Sequence, residues 1–153
     1  MKYISINEND FNNGDGVVVS LWTAGCPHNC KGCHNPETHD RNAGMVFDKP
    51  ALEQILTSLN DKYVSGLSIL GGEPLTDYNY PTVLHLARFI KERYPEKKIN
   101  IWTGYTLQEL INQDKQEIMF YLDMLVDGRF VEELKGEFKY CGSSNQKVRT
   151  RVI

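Results

Sequence analysis

Leu67-Ser68-Ile69-Leu70-Gly71-Gly72-Glu73-Pro74 decides how this chain folds. The first four residues read as a short strand, and the paired glycines end it in a turn where no Cβ obstructs the backbone. A helical pattern follows: Pro81 opens it, and Val83, Leu84, Leu86, Ala87 and Ile90 recur at helical spacing. Upstream, Val17-Val18-Val19-Ser20-Leu21-Trp22 forms an earlier strand, entered from Asn13-Gly14-Asp15-Gly16. A cysteine-rich loop runs from Gly25 to about Gly44, and Pro50 then starts a helix carrying Leu52, Ile55, Leu56 and Leu59. Downstream, Lys98 to Thr103 is a third strand, and Met124-Leu125-Val126 a fourth, closed by Asp127-Gly128. Between them, Leu107, Leu110 and Ile111 begin a helix, and Ile118 to Leu122 carries another. Lys147 to Ile153 predicts a last short strand. Strands alternating with helices in this way predict an α/β fold with a mostly parallel sheet. In such sheets ligands gather beyond the C-terminal strand ends. That expectation brings the cysteine loop, Gly71-Gly72-Glu73-Pro74, Thr103-Gly104 and Asp127-Gly128 to one edge.

Composition sets the bounds. The chain has 153 residues, 41% hydrophobic and 24% charged, which suits one folded domain spanning residues 1–153 with a core that needs no disulfide or metal staple. A net charge of -3 argues against a general nucleic-acid binder. No apolar run reaches the ~20 residues that cross a bilayer. The N-terminus, Met1-Lys2-Tyr3-Ile4-Ser5-Ile6-Asn7-Glu8, lacks the apolar stretch of a signal peptide, so a cytoplasmic protein is expected. Thiols stay reduced there, and four cysteines then point to metal or redox chemistry rather than a disulfide framework. The basic residues Lys147, Arg149 and Arg151 read as a solvated face or as a tail that touches a partner or an anion.

The chemistry concentrates in Cys26-Pro27-His28-Asn29-Cys30-Lys31-Gly32-Cys33, a C-x3-C-x2-C spacing. A loop this tight can turn three soft thiolates toward one centre, which suits an iron–sulfur cluster, zinc or copper(I). A cubane cluster takes four ligands, so three cysteines leave one iron open to substrate. A structural zinc site wants a fourth protein ligand, and Cys141, His28, His34 or His39 is available for it. Gly71-Gly72-Glu73-Pro74 reads by itself either as a strand-ending turn or as a place where backbone approaches a ligand.

Taken together, the three-cysteine loop and the later Gly-Gly-Glu-Pro resemble the radical S-adenosylmethionine enzymes. Finer features resemble one subgroup, the activating enzymes of anaerobic ribonucleoside-triphosphate reductase: Trp102-Thr103-Gly104-Tyr105, Leu125-Val126-Asp127-Gly128-Arg129-Phe130 and Gly142-Ser143-Ser144-Asn145-Gln146. One departure is Gly32, where many superfamily members place an aromatic residue. The resemblance implies that Cys26, Cys30 and Cys33 ligate a [4Fe–4S] cluster whose fourth iron is chelated by S-adenosylmethionine. Gly71, Gly72 and Glu73 would hold the methionyl ammonium. It further implies a 5'-deoxyadenosyl radical that installs a glycyl radical on the reductase, with an electron donor such as a flavodoxin. The shortness of the chain then fits an incomplete, open β/α barrel of the radical-SAM type whose open edge docks the reductase, since a full barrel typically takes about 250 residues.

Around this core, Thr103 and Asp127 follow their strands and are candidate cofactor contacts, with a plain turn role as the other reading of Asp127. Asn35 is a candidate contact to the adenosine part. Cys141 reads as a buried apolar residue or a second redox thiol, and His85 as structural. His28, His34 and His39 read as packing or solvent residues, or as tuners of a nearby metal. Two other functions compete: activation of a different glycyl-radical enzyme, and a non-catalytic zinc-binding module.

Overall fold

The structure, a computed structural model, describes residues 1–150. Seven strands form one sheet: β1 (Lys2–Asp10), β2 (Val17–Thr23), β3 (Met45–Val46), β4 (Val64–Gly71), β5 (Lys98–Thr103), β6 (Met124–Asp127) and β7 (Lys147–Thr150), in the spatial order β3-β1-β2-β4-β5-β6-β7. The four central strands, β2, β4, β5 and β6, run parallel in chain order. Antiparallel pairs flank them on both sides, β3-β1-β2 on one and β6-β7 on the other. The sheet is therefore open, ending at β3 and β7.

Three helices cover one face. α1 (Lys49–Leu59) starts where the Asp48 side chain accepts from the amide of Ala51, with Pro50 in its first turn. α2 (Tyr80–Arg93) turns Val83, Leu86, Ala87 and Ile90 inward, the stripe that the sequence predicts. α3 (Leu107–Asn112) is a single short helix held by a capping box between Thr106 and Glu109. Alternation along the strands sends Val19, Leu21, Leu67, Ile69, Ile99, Ile101 and Leu125 toward these helices, where they make the core.

The intervening residues face the other way. Ser20, Ser68 and Asn100 stand side by side in register across β2, β4 and β5 and are buried. Asn100 donates to Ser68 Oγ, and the Ser68 hydroxyl donates to the carbonyl of Asn13. One layer nearer the C-terminal strand ends, Trp22, Leu70 and Trp102 succeed them and wall a cavity. Trp102 donates its indole N–H to the carbonyl of Tyr140 at 2.8 Å, so the C-terminal loop closes this helix-free face.

The structure adds β1 and corrects one expectation. β1 is not anticipated by the sequence reading: of Lys2–Asp10 only Tyr3 and Asp10 are buried, and two register shifts break its alternation. The segment expected as a helix from Ile118 is a 3-10 turn, Gln116–Tyr121, whose buried residues are only Ile118 and Met119. Of the predicted strand 147–153, Lys147–Thr150 is observed. Residues 151–153, including Arg151, lie outside the described residues.

Candidate metal and cofactor site

The cysteine loop leaves β2 at Thr23 and is fastened at its root. The amide of Gly25 donates to the carbonyl of Thr38 at 2.7 Å, and that of Cys26 to the carbonyl of His39 at 3.1 Å. The root is also tied to the turn after β4, where the amide of Glu73 donates to the carbonyl of Gly25 at 2.7 Å. This contact requires glycine at 72: a Cβ there would lie 2.5 Å from the Gly25 carbonyl oxygen. Asn79, fully buried, spans the same junction by donating to the carbonyls of Ala24 and Glu73 at 3.0 Å each. Its Oδ1 has no partner among the described residues.

Within the loop, the amide of Cys33 donates to the carbonyl of Cys30, and the amide of Asn35 approaches Cys33 Sγ at 3.5 Å. Cys26, Cys30 and Cys33 are all free, partly exposed thiols. All three line one open cavity of about 390 Å³. Burial pushes the Cys26 thiol up to about 11, so binding a metal there displaces a proton.

The opposite wall is built around Glu73, which is fully buried. Oε1 accepts from the amide of Leu75 at 2.9 Å and from the Thr103 hydroxyl at 2.7 Å. Oε2 accepts from the amide of Gly104 and from His28 Nε2, each at 2.7 Å. One carboxylate thus receives donors from the cysteine loop, its own turn and the end of β5. Buried acceptors of this kind are costly to leave unpaired, and here both oxygens are doubly paired.

The structure brings Asn35, Gly71, Gly72, Glu73 and Thr103 to the cavity that the three cysteines line. Asp127 is different. Its backbone pairs with Thr103 at the strand ends, so the two share a face, but its carboxylate is taken up at the start of α3 and is not part of the cavity lining. Its carboxylate accepts from the amide of Leu107 at 2.9 Å and from Arg149 Nε at 2.7 Å, and it lines a neighbouring cavity. Thr103 lines the cavity, with its hydroxyl held by Glu73. Cys141 lies outside the cavity lining, with its Sγ 3.8 Å from the carbonyl of Gln146. His34 and His39 line the cavity, and the His34 ring tilts against Phe130 at 5.1 Å. His85 is exposed on α2. The sequence reading did not anticipate His28, Gly104 and Asn79 as connectors, because their partners lie on distant segments and no local spacing marks them.

The residues fit an iron–sulfur group by donor chemistry. Three soft thiols line one cavity and would supply three of the four ligands that a cubane takes. Among the described residues, no three or more His, Cys, Asp or Glu side chains are gathered for a single metal ion.

An open α/β sheet with three thiols lining a cavity at the C-terminal strand ends defines a candidate metal-binding domain, and comparison with known proteins narrows it. The family described as "4Fe-4S single cluster domain" matches residues 12–149. The chain is 40% identical over 151 residues to the anaerobic ribonucleoside-triphosphate reductase-activating protein of Escherichia coli K12, covering 97% of each chain. It is 37% identical over 149 residues to the protein of that name from Haemophilus influenzae, covering 95% of this chain and 96% of that one. The phage T4 protein of the same name is 34% identical over 148 residues, covering 97% of this chain and 93% of its own. The chain belongs to the 4Fe-4S single cluster domain family and, within it, groups with the anaerobic ribonucleoside-triphosphate reductase-activating proteins.

Proposed function

We propose that this chain is a single-domain radical S-adenosylmethionine enzyme, built on an incomplete β/α barrel, that installs a glycyl radical on anaerobic ribonucleoside-triphosphate reductase in the cytoplasm. The observation that carries the reading is the convergence of the C-x3-C-x2-C thiols and the Gly71-Gly72-Glu73 turn on one open cavity. The name shared by its relatives supplies the protein substrate.

In this reading Cys26, Cys30 and Cys33 would hold three irons of a [4Fe–4S] cluster, and Gly71, Gly72 and Glu73 would hold the methionyl ammonium of S-adenosylmethionine. The chemistry the cluster supplies when bound is one-electron cleavage of the sulfonium, with the electron drawn from a donor such as a flavodoxin. That chemistry would yield methionine and a 5'-deoxyadenosyl radical able to take hydrogen from a glycine Cα of the reductase. The chain's own residues bind and orient. Glu73, held by four donors, fixes the turn that receives the methionyl ammonium. Thr103 stiffens that arrangement, and Asn35 flanks the adenosine end. Trp22, Trp102 and Phe130 wall the cavity and limit water around the radical. The open side of the cavity faces the reductase, which completes the enclosure.

The test is anaerobic reconstitution with iron and sulfide, reduction with dithionite, and addition of S-adenosylmethionine and the reductase. A glycyl radical seen by electron paramagnetic resonance, and absent with Cys30→Ala, is the expected result. Formation of 5'-deoxyadenosine without a protein radical would overturn the partner. Absence of any cluster would overturn the chemistry.

A further inference from the structure

The two walls of the cavity come from different strand ends, and their relative placement depends on what ties them. The root of the cysteine loop is fastened through Ala24 and Gly25, ahead of the first thiol. Between residues 27 and 33, a single described hydrogen bond reaches the opposite wall: His28 Nε2 to Glu73 Oε2, at 2.7 Å. His28 lies inside the C-x3-C segment, so a tie on its ring acts on the backbone that joins Cys26 to Cys30. Its side chain is 5% exposed and that of Glu73 0%.

The ring is also locked by shape. It fills the space where residue 104 would carry a side chain, and a Cβ there would stand 2.3 Å from the ring. The amide of Gly104 reaches the same Glu73 oxygen that His28 does. On its other side the His28 ring meets the edge of Tyr105, centroids 4.6 Å apart and planes at 78°. Tyr105 is backed by the buried Lys115, 5.2 Å from its ring, and Lys115 donates to the carbonyl of Leu75 in the turn itself. The contacts run in a closed circuit from the cysteine loop through Gly104 and Tyr105 after β5 and Lys115 beyond α3 back to the turn after β4.

We propose that His28 is a positioning residue: its bond to Glu73 holds the Cys26–Cys30 arm against the Gly71–Glu73 turn and so sets the spacing at which the cavity takes S-adenosylmethionine. This rests on the reading that the cavity binds both cluster and S-adenosylmethionine. A residue that orients metal ligands from behind typically changes affinity or activity about 10–100-fold when it is replaced.

The test uses the anaerobically reconstituted full chain, with S-adenosylmethionine affinity measured by equilibrium dialysis on the oxidised protein, where no turnover occurs. Iron content and the electron paramagnetic resonance of the reduced cluster with and without S-adenosylmethionine provide further readouts. His28→Ala should retain the cluster and bind S-adenosylmethionine about 10–100-fold more weakly. His28→Gln, whose amide keeps a donor at similar reach, should return to within a few-fold of wild type. Gly104→Ala should weaken binding by displacing the ring, and should add nothing further in the His28→Ala background. Should His28→Ala lose its cluster, recovery of cluster and binding in His28→Gln would support the same tie. Wild-type affinity in His28→Ala, or failure of His28→Gln to recover what His28→Ala loses, would overturn the role of His28 alone. A wild-type protein that holds its cluster and fails to bind S-adenosylmethionine would defeat the proposed function, and this inference with it.

Discussion

The two walls of the cavity are built on opposite principles. On the Glu73 wall, one fully buried carboxylate receives four donors from three segments of the chain. On the cysteine wall, three free thiols stand partly exposed, with one long amide contact at Cys33. The first wall is satisfied by the protein's own groups and belongs to stability. The second presents soft donors to whatever enters and belongs to chemistry. Changes on the two walls should therefore separate cleanly, the cysteine wall altering function with little effect on folding and the Glu73 wall altering both.

Cys30→Ala should give the largest functional effect: loss of the cluster and of radical formation, with the thermal midpoint of the iron-free protein nearly unchanged. A midpoint drop as large as that of a core mutation would erase the contrast. Glu73→Ala should give the largest loss of stability. It strands four donors in a buried site, so about 3–5 kcal/mol is expected in denaturant unfolding of the iron-free protein. A loss near zero would mean that the Glu73 wall is not a structural centre. Asp127→Asn sharpens the comparison from outside the cavity. It weakens the pair with Arg149, which is one-third exposed, at a cost of about 1 kcal/mol, and should leave S-adenosylmethionine affinity unchanged. A tenfold loss of affinity would return Asp127 to the site. The smallest effect concerns pH. The Cys26 thiol titrates higher in the folded chain than in the unfolded one, which favours the fold at neutral pH. That contribution should fade in the iron-free protein as pH rises through about 11, and Cys26→Ser should lack this alkaline decline.

Much of this was legible in the sequence, for identifiable reasons. β2, β4, β5 and β6 are the central strands, and their β-branched or apolar runs stop at turn residues such as Gly71 and Gly128. Parallel burial makes such strands conspicuous. The edge strands were harder, because Met45 and Val46 are both exposed and the pattern of β1 is broken by its register shifts. The thiols were visible because a metal site compresses its ligands into a short motif. The Glu73 network was not, since it depends on where three strand ends meet rather than on any local pattern. Asp127 shows the limit of reasoning from strand ends: it pairs with Thr103 at the expected place in the chain, and its carboxylate is taken up by the amide of Leu107 and by Arg149.

The most direct test of the central claim is what the cysteine wall holds. The chain should be isolated without air, reconstituted with iron and sulfide, and analysed for metal and for cleavage of S-adenosylmethionine after reduction. The account predicts a brown protein with about four irons per chain that forms 5'-deoxyadenosine, and neither property in Cys30→Ala. A colourless protein with one tightly bound zinc and no cleavage would contradict it.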